Sequence, residues 1–88
     1  MPKILIIEDE AAIRRVLTKI LSEESSTYQV EEAEDGVQAL EKIKNNDYDL
    51  VLCDIKMPKM DGVELLEEVK KIKPEIPMVM ISGHGDME

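Results

Sequence analysis

The sequence predicts an α/β fold, a parallel sheet of four strands with three helices packed on its faces. Three observations predict it. Apolar runs of strand length alternate with segments whose apolar residues recur at helical spacing, and the connections between them are short. The run Leu50-Val51-Leu52-Cys53-Asp54 is continuously apolar until it ends on a carboxylate, as suits a strand buried on both faces. Turn-forming residues, Pro58 and Asp61-Gly62 among them, follow it. Right-handed crossovers then leave few topologies.

The first strand is Lys3 to Ile7, rich in β-branched residues and Leu, and it stops at Glu8-Asp9-Glu10. The period then changes. Ile13, Val16, Leu17, Ile20 and Leu21 fall on one helical face, with acidic residues in the first turn and Arg14, Arg15 and Lys19 later, matching the helix dipole. Ser22 to Thr27 is a polar loop. Tyr28 to Ala33 is the second strand, with Tyr28, Val30 and Ala33 packing inward. Asp35-Gly36 turns the chain into a second helix, whose apolar face is Val37, Leu40 and Ile43, and Asn45-Asn46-Asp47 closes it. The central strand to Asp54 comes next. Asp61 is placed to cap a third helix, because its carboxylate can accept from a free backbone N–H in the first turn. Leu65, Leu66, Val69 and Ile72 form the stripe of that helix, and Pro74 marks its end. Pro77 precedes Met78 to Ser82, a fourth strand of the buried type, and Gly83-His84-Gly85 is a loop.

The totals bound the function. The chain has 88 residues, which predicts one domain, residues 1–88, with a modest core. Phe and Trp are absent, so aliphatic side chains and six Met must build that core. A net charge of −9 argues against direct binding to nucleic acid or to an anionic membrane surface, both of which need clustered Lys and Arg. The lone cysteine, Cys53, sits inside an apolar strand and reads as a small buried hydrophobe. The start turns acidic too soon for a signal peptide, and no apolar stretch approaches a membrane-spanning length, so a cytoplasmic location is expected.

In an open parallel sheet, ligands collect beyond the carboxyl ends of the strands. Glu8 and Asp9 arrive there from the first strand, Asp54 from the third and Ser82 from the fourth, while Glu34 and Asp35 lie too far out. Neighbouring strands are about 5 Å apart, so pairing of the first and third would bring Glu8, Asp9 and Asp54 face to face. Each acidic residue taken singly is most simply a solvated strand end; their arrival at one rim is what carries meaning. Crowded carboxylates repel, which raises a pKa unless a cation relieves them. Mg2+ suits such a site because it takes oxygen ligands and keeps several waters. Beside such an ion a carboxylate can act as a nucleophile toward phosphorus, giving an aspartyl phosphate. Ser82 could hydrogen-bond a phosphoryl oxygen. His84, the one histidine, reads as a loop residue, and Lys56 and Lys59 balance the acidic charge.

The segments Ile4 to Glu10, Asp49 to Gly62 and Pro77 to Gly85 make the chain resemble the receiver domain of two-component response regulators. The resemblance spans the whole chain, and its middle segment is highly specific. It implies a flavodoxin-like sheet in the order 2-1-3-4 and a phosphoryl group taken by Asp54 from a histidine kinase or phosphotransfer protein. It also implies Mg2+ held by Asp9, Asp54 and the backbone carbonyl of Lys56, with Glu8 assisting through water. Ser82 matches the hydroxyl residue that follows the phosphoryl group in the active state. Such a domain is a phosphoacceptor rather than an enzyme in its own right.

Members of this family continue through a fourth helix, a fifth strand bearing a lysine and an aromatic residue, and a fifth helix. The expectation from the resemblance is therefore a truncated receiver, with no residue here assigned the lysine's role. It is also expected to self-associate through the apolar edge Met78 to Ser82 by strand pairing or exchange. The alternative function is an assembly module whose phosphorylation site no longer works. A hydrolase of the haloacid-dehalogenase kind would need a second Asp two residues after the nucleophile, where this chain has Lys56.

Overall fold

The computed structural model describes residues 2–24, 27–54 and 60–81. Four parallel strands, β1 (Lys3–Ile7), β2 (Gln29–Ala33), β3 (Leu50–Asp54) and β4 (Met78–Ile81), form one sheet in the order β2-β1-β3-β4. Three helices connect them: α1 (Ala11–Glu24), α2 (Gly36–Asn45) and α3 (Gly62–Ile72). This is the predicted fold class and strand order. Ile7 stands beside Ala33 on one side and Cys53 on the other, so β1 and β3 finish level with each other.

Alternation along β1 divides the sheet's two faces. Leu5 and Ile7 join Val51 and Cys53 in a core closed by Ala39 and Ile43 of α2 and Leu65 and Val69 of α3. Met60, Met78 and Met80 pack at its margin and do the gap-filling that aromatic rings do elsewhere. The opposite face of β1, Ile4 and Ile6, is also buried, on the side where α1 lies over β1 and β2. On the other face of β3 from Val51 and Cys53, Leu50 and Leu52 are only half-buried. The central strand is therefore sealed on one face and partly open on the other. β4 is a half-buried strand at the edge of the described sheet, not a fully buried one, with Val79 48% exposed.

Several local expectations are corrected. Helix α1 continues to Glu24, so the polar stretch starting at Ser22 is helical for three residues instead of a loop. It begins after Glu8-Asp9-Glu10, with no acidic residue in its first turn and no basic one in its last, so the dipole matching does not occur. None of its residues is fully buried, and Val16 and Ile20 are exposed. In α2 the buried residues are Gly36, Ala39 and Ile43, one position round from the expected stripe, and Val37 faces outward at 54% exposure. In α3, Ile72 is at the open end of its stripe.

The caps behave as the sequence implies. Asp35 and Asp61 accept from the backbone N–H of Gln38 (2.8 Å) and Glu64 (2.9 Å), three residues into each helix. Gly36 is there for space. A Cβ on it would lie 2.6 Å from the Met60 carbonyl oxygen and 2.7 Å from the Met60 Cβ, so only glycine lets the start of α2 meet the entry to α3.

At the amino-terminal edge of the sheet, the Tyr48 hydroxyl donates to Glu31 Oε1 at 2.6 Å, with Lys3 and Lys42 beside the same carboxylate. The hydrogen bond from Tyr48, followed by the two ammonium charges, holds the Glu31 carboxyl below its usual range. Burial and the Glu31 charge push the Tyr48 phenol well above its own. This cluster ties β2 to the start of β3, at the pole away from the acidic site.

Candidate functional site

The level ends of β1 and β3 place Glu8 and Asp54 side by side, one residue past the Ile7–Cys53 pair. The β1–β2 ladder runs on far enough to fix Glu8, whose N–H donates to the Ala33 carbonyl at 3.1 Å. One oxygen from each of Glu8, Asp9 and Asp54 lies within 4.8 Å of the others. Glu8 and Asp54 are only 4% and 2% exposed, while Asp9 is partly open to solvent. Asp9 Oδ1 is nevertheless buried, with no hydrogen-bond partner among the described residues. An acceptor hidden from water without a donor is costly to leave unmade.

Electrostatics follow from that crowding. Burial, with the Asp54 and Asp9 carboxylates adding to it, pushes the Glu8 carboxyl up to about 7, against the hydrogen bond from the Glu10 N–H. Cys53 lies directly below the site and donates from its thiol to the Asp54 carbonyl at 3.3 Å. Burial and the charges of Asp54, Glu8 and Asp61 push that thiol up to about 12. As expected from the sequence, Cys53 is a buried small residue and not a nucleophile. Iodoacetamide at pH 8 should leave it unmodified in the native protein and alkylate it in urea. Rapid native labelling seen by mass spectrometry would contradict this.

A second layer supports the site. Arg14 Nη1 donates to the Glu8 carbonyl at 2.7 Å, and its Nε donates to Glu32 Oε1 at 3.0 Å. The Thr18 hydroxyl holds the other Glu32 oxygen at 2.8 Å. Sequence reading missed this network because it assigned Arg14 to the helix dipole. The available signal was the four-residue spacing of Arg14 and Thr18, which places both on one helical face.

Of the predicted site residues, the structure brings Glu8, Asp9 and Asp54 together. Ser82, Lys56, Lys59 and His84 lie outside the described residues, as does the end of the Met78 to Ser82 edge. Asp35 caps α2, and the Glu34 N–H bonds the Gln38 side chain at 3.0 Å, so both serve the start of that helix.

Comparison with known proteins adds a family. Residues 4–88 match the family model for the response regulator receiver domain. Sporulation initiation phosphotransferase F of Bacillus subtilis is 37% identical over 86 residues, which is 98% of this chain and 68% of that protein. The transcriptional regulatory protein ZraR of Klebsiella oxytoca is 38% identical over 97% of this chain, which spans only 19% of ZraR. The transcriptional regulatory protein ResD of Bacillus subtilis is 39% identical over 96% of this chain, which spans 34% of that protein. Among solved structures, the response regulator TrrA of Thermotoga maritima, in complex with Mg2+-BeF, superposes with a TM-score of 0.89 at 36% identity. That match covers 97% of this chain and 72% of TrrA. A receiver domain of Methanospirillum hungatei gives 0.89 at 38% identity, covering 99% of this chain and 68% of the other.

Proposed function

Because the chain belongs to the response regulator receiver domain family, we propose that Asp54 is its phosphoacceptor and that residues 1–88 act as one receiver unit. The observation that carries this reading is the convergence of Glu8, Asp9 and Asp54 within 4.8 Å at the carboxyl edge between β1 and β3. A crowded set of carboxylates, with a buried Asp9 oxygen that accepts no hydrogen bond from a donor group among the described residues, fits a hard divalent cation. Asp9 and Asp54 would hold Mg2+ together with the Lys56 carbonyl, and Glu8 would act through a water. TrrA, a similar structure solved with Mg2+-BeF, supports the same reading. When bound, the ion supplies positive charge against the oxygens of the transferring phosphoryl group.

The protein's own part is positioning. A carboxylate oxygen of Asp54 attacks phosphorus, and a new O–P bond forms. The bond from phosphorus to the donor breaks, its electron pair leaves with the donor, and the product is an acyl phosphate on Asp54. Burial of Asp54 and Glu8 keeps bulk water from competing. Ser82 would donate to a phosphoryl oxygen. The donor in this reading is a histidine kinase or phosphotransfer protein, and the compartment is the cytoplasm; among the described residues no helix is long and apolar enough to cross a membrane. The reading makes the chain an acceptor that assists its own modification.

An assembly module with an inactive site is not favoured by the family match. Pairing of the 88-residue chain with a second copy along β4 is a separate reading, supported by the exposure of Val79 at that edge. A sedimentation coefficient that stays monomeric at high concentration would rule it out.

The phosphoacceptor reading is tested by intact mass after incubation with acetyl phosphate and Mg2+. One phosphoryl group should be gained, and it should be absent in Asp54→Asn and in excess EDTA. No gain in folded protein, or a gain that survives Asp54→Asn, would overturn the assignment.

A further inference from the structure

We propose that Arg14 is a positioning residue for the acidic site, acting through the backbone of Glu8, and that Glu32 and Thr18 aim it. The inference rests on the Mg2+ reading above and goes beyond it, because the hydrogen bonds shown for Arg14 go to the Glu8 carbonyl and to Glu32, not to the clustered carboxylates. Glu8 is the hinge between β1 and the turn that delivers Asp9. Its N–H is tied to β2 through the Ala33 carbonyl, and its own carbonyl is tied to α1 through Arg14 at 2.7 Å. The two peptide groups flanking Glu8 are thus each held, one to β2 and the other to α1, and the second of them joins the residues from which the carboxylates of Glu8 and Asp9 project. The grip is well set. The Arg14 side chain is 17% exposed, its Nε–H is spent on Glu32, and the second Glu32 oxygen is spent on Thr18. A planar guanidinium can bond a carbonyl and a carboxylate at once in fixed directions, which an ammonium cannot.

Charge and positioning predict opposite results, and this makes the idea testable. Arg14 is a cation close to a cation-binding cluster. If its charge were its main influence, its removal would leave Glu32 unpaired, make the region more negative and tighten Mg2+ binding. If its hydrogen bonds matter, removal loosens the Glu8–Asp9 turn and weakens binding. Outer partners that orient metal ligands are worth roughly 10–100-fold in affinity.

The experiment is calorimetric titration of Mg2+ into wild type, Arg14→Ala, Arg14→Lys and Thr18→Val, with metal-free melting curves of each in EDTA. Arg14→Ala should weaken Mg2+ on the order of ten-fold. Arg14→Lys should fall between it and wild type, and the uncharged change Thr18→Val should shift affinity the same way by less. A purely structural role would lower the metal-free melting temperature and leave affinity in the folded protein unchanged. Binding by folded Arg14→Ala that equals or exceeds wild type overturns the proposal. Should Arg14→Ala not fold, unchanged affinity in both Arg14→Lys and Thr18→Val overturns it instead. Wild type that fails to bind Mg2+ removes the site reading and this inference together, whereas normal wild-type binding with unaltered variants removes only the inference.

Discussion

Raising the pH from 5 to 8 in EDTA is expected to destabilise the protein by on the order of 3 kcal/mol through Glu8 alone. An unfolded Glu8 titrates near 4.5, whereas the folded carboxyl titrates near 7, raised by burial and by Asp54 and Asp9. Between those values the folded chain holds a proton that the unfolded chain has released. The contribution of Glu8 is therefore full below about 4.5 and is lost as pH rises through about 7. Ordinary acidic proteins show the reverse slope near pH 4, and Glu31, whose pKa is lowered, contributes in that usual sense as pH falls. Net charge of −9 adds a diffuse repulsion of the same sign as Glu8, so Glu8→Gln is the necessary comparison. Urea denaturation at both pH values should show the loss in wild type and much less of it in Glu8→Gln. Saturating Mg2+ should offset the loss in wild type, because a ligand that binds only the folded state stabilises it by mass action. Equal stability at pH 5 and 8, or an identical slope in Glu8→Gln, would show that the carboxylates are not crowded as the structure has them.

The elements of the fold were legible because each has its own physical signature in the chain. β1 and β3 are continuous apolar runs, Asp35 and Asp61 sit where a helix start needs an acceptor, and the alternation of strand and helix leaves little but a parallel sheet. The acidic site was legible for the same reason, since strands that pair in register deliver their end residues to one place. What stayed hidden depends on tertiary contact. Periodicity names a stripe but not how much of it is covered, so Val37 was taken for core although α2 turns Ala39 inward. Arg14 looked like a dipole partner because its targets, the Glu8 carbonyl and Glu32, are a backbone atom and a residue on another strand. The space at Gly36 is set by Met60, which lies 24 positions along the chain, and no local pattern announces it.

The sharpest test of that distinction lies in α3, where two residues of one predicted stripe should behave differently. Leu65→Ala is expected to cost about 2–5 kcal/mol. Leu65 is fully buried, packed with Ile7, Cys53 and Ile43 in the same core, so truncation leaves a cavity that the sheet cannot close. An 88-residue domain has roughly 4–13 kcal/mol in total, so the loss is a large share of it and the melting temperature should fall by roughly 4–8 °C for each kcal/mol. Ile72, two turns on and 43% exposed, has little to lose, and Ile72→Ala should stay within about 1 kcal/mol. The two substitutions remove the same number of carbon atoms from residues that the sequence alone cannot rank. The local consequence reaches the site as well. Leu65 shares its core with Ile7 and Cys53, the residues next to Glu8 and Asp54, so a cavity at Leu65 loosens the strand ends that carry the acidic cluster. Leu65→Ala should therefore weaken Mg2+ binding in the protein that remains folded, and Ile72→Ala should not. Thermal melts of the pair in EDTA and in Mg2+ read both effects. Similar losses from the two variants would mean that α3 is seated by its whole stripe, and that the exposed end of the helix is covered in solution.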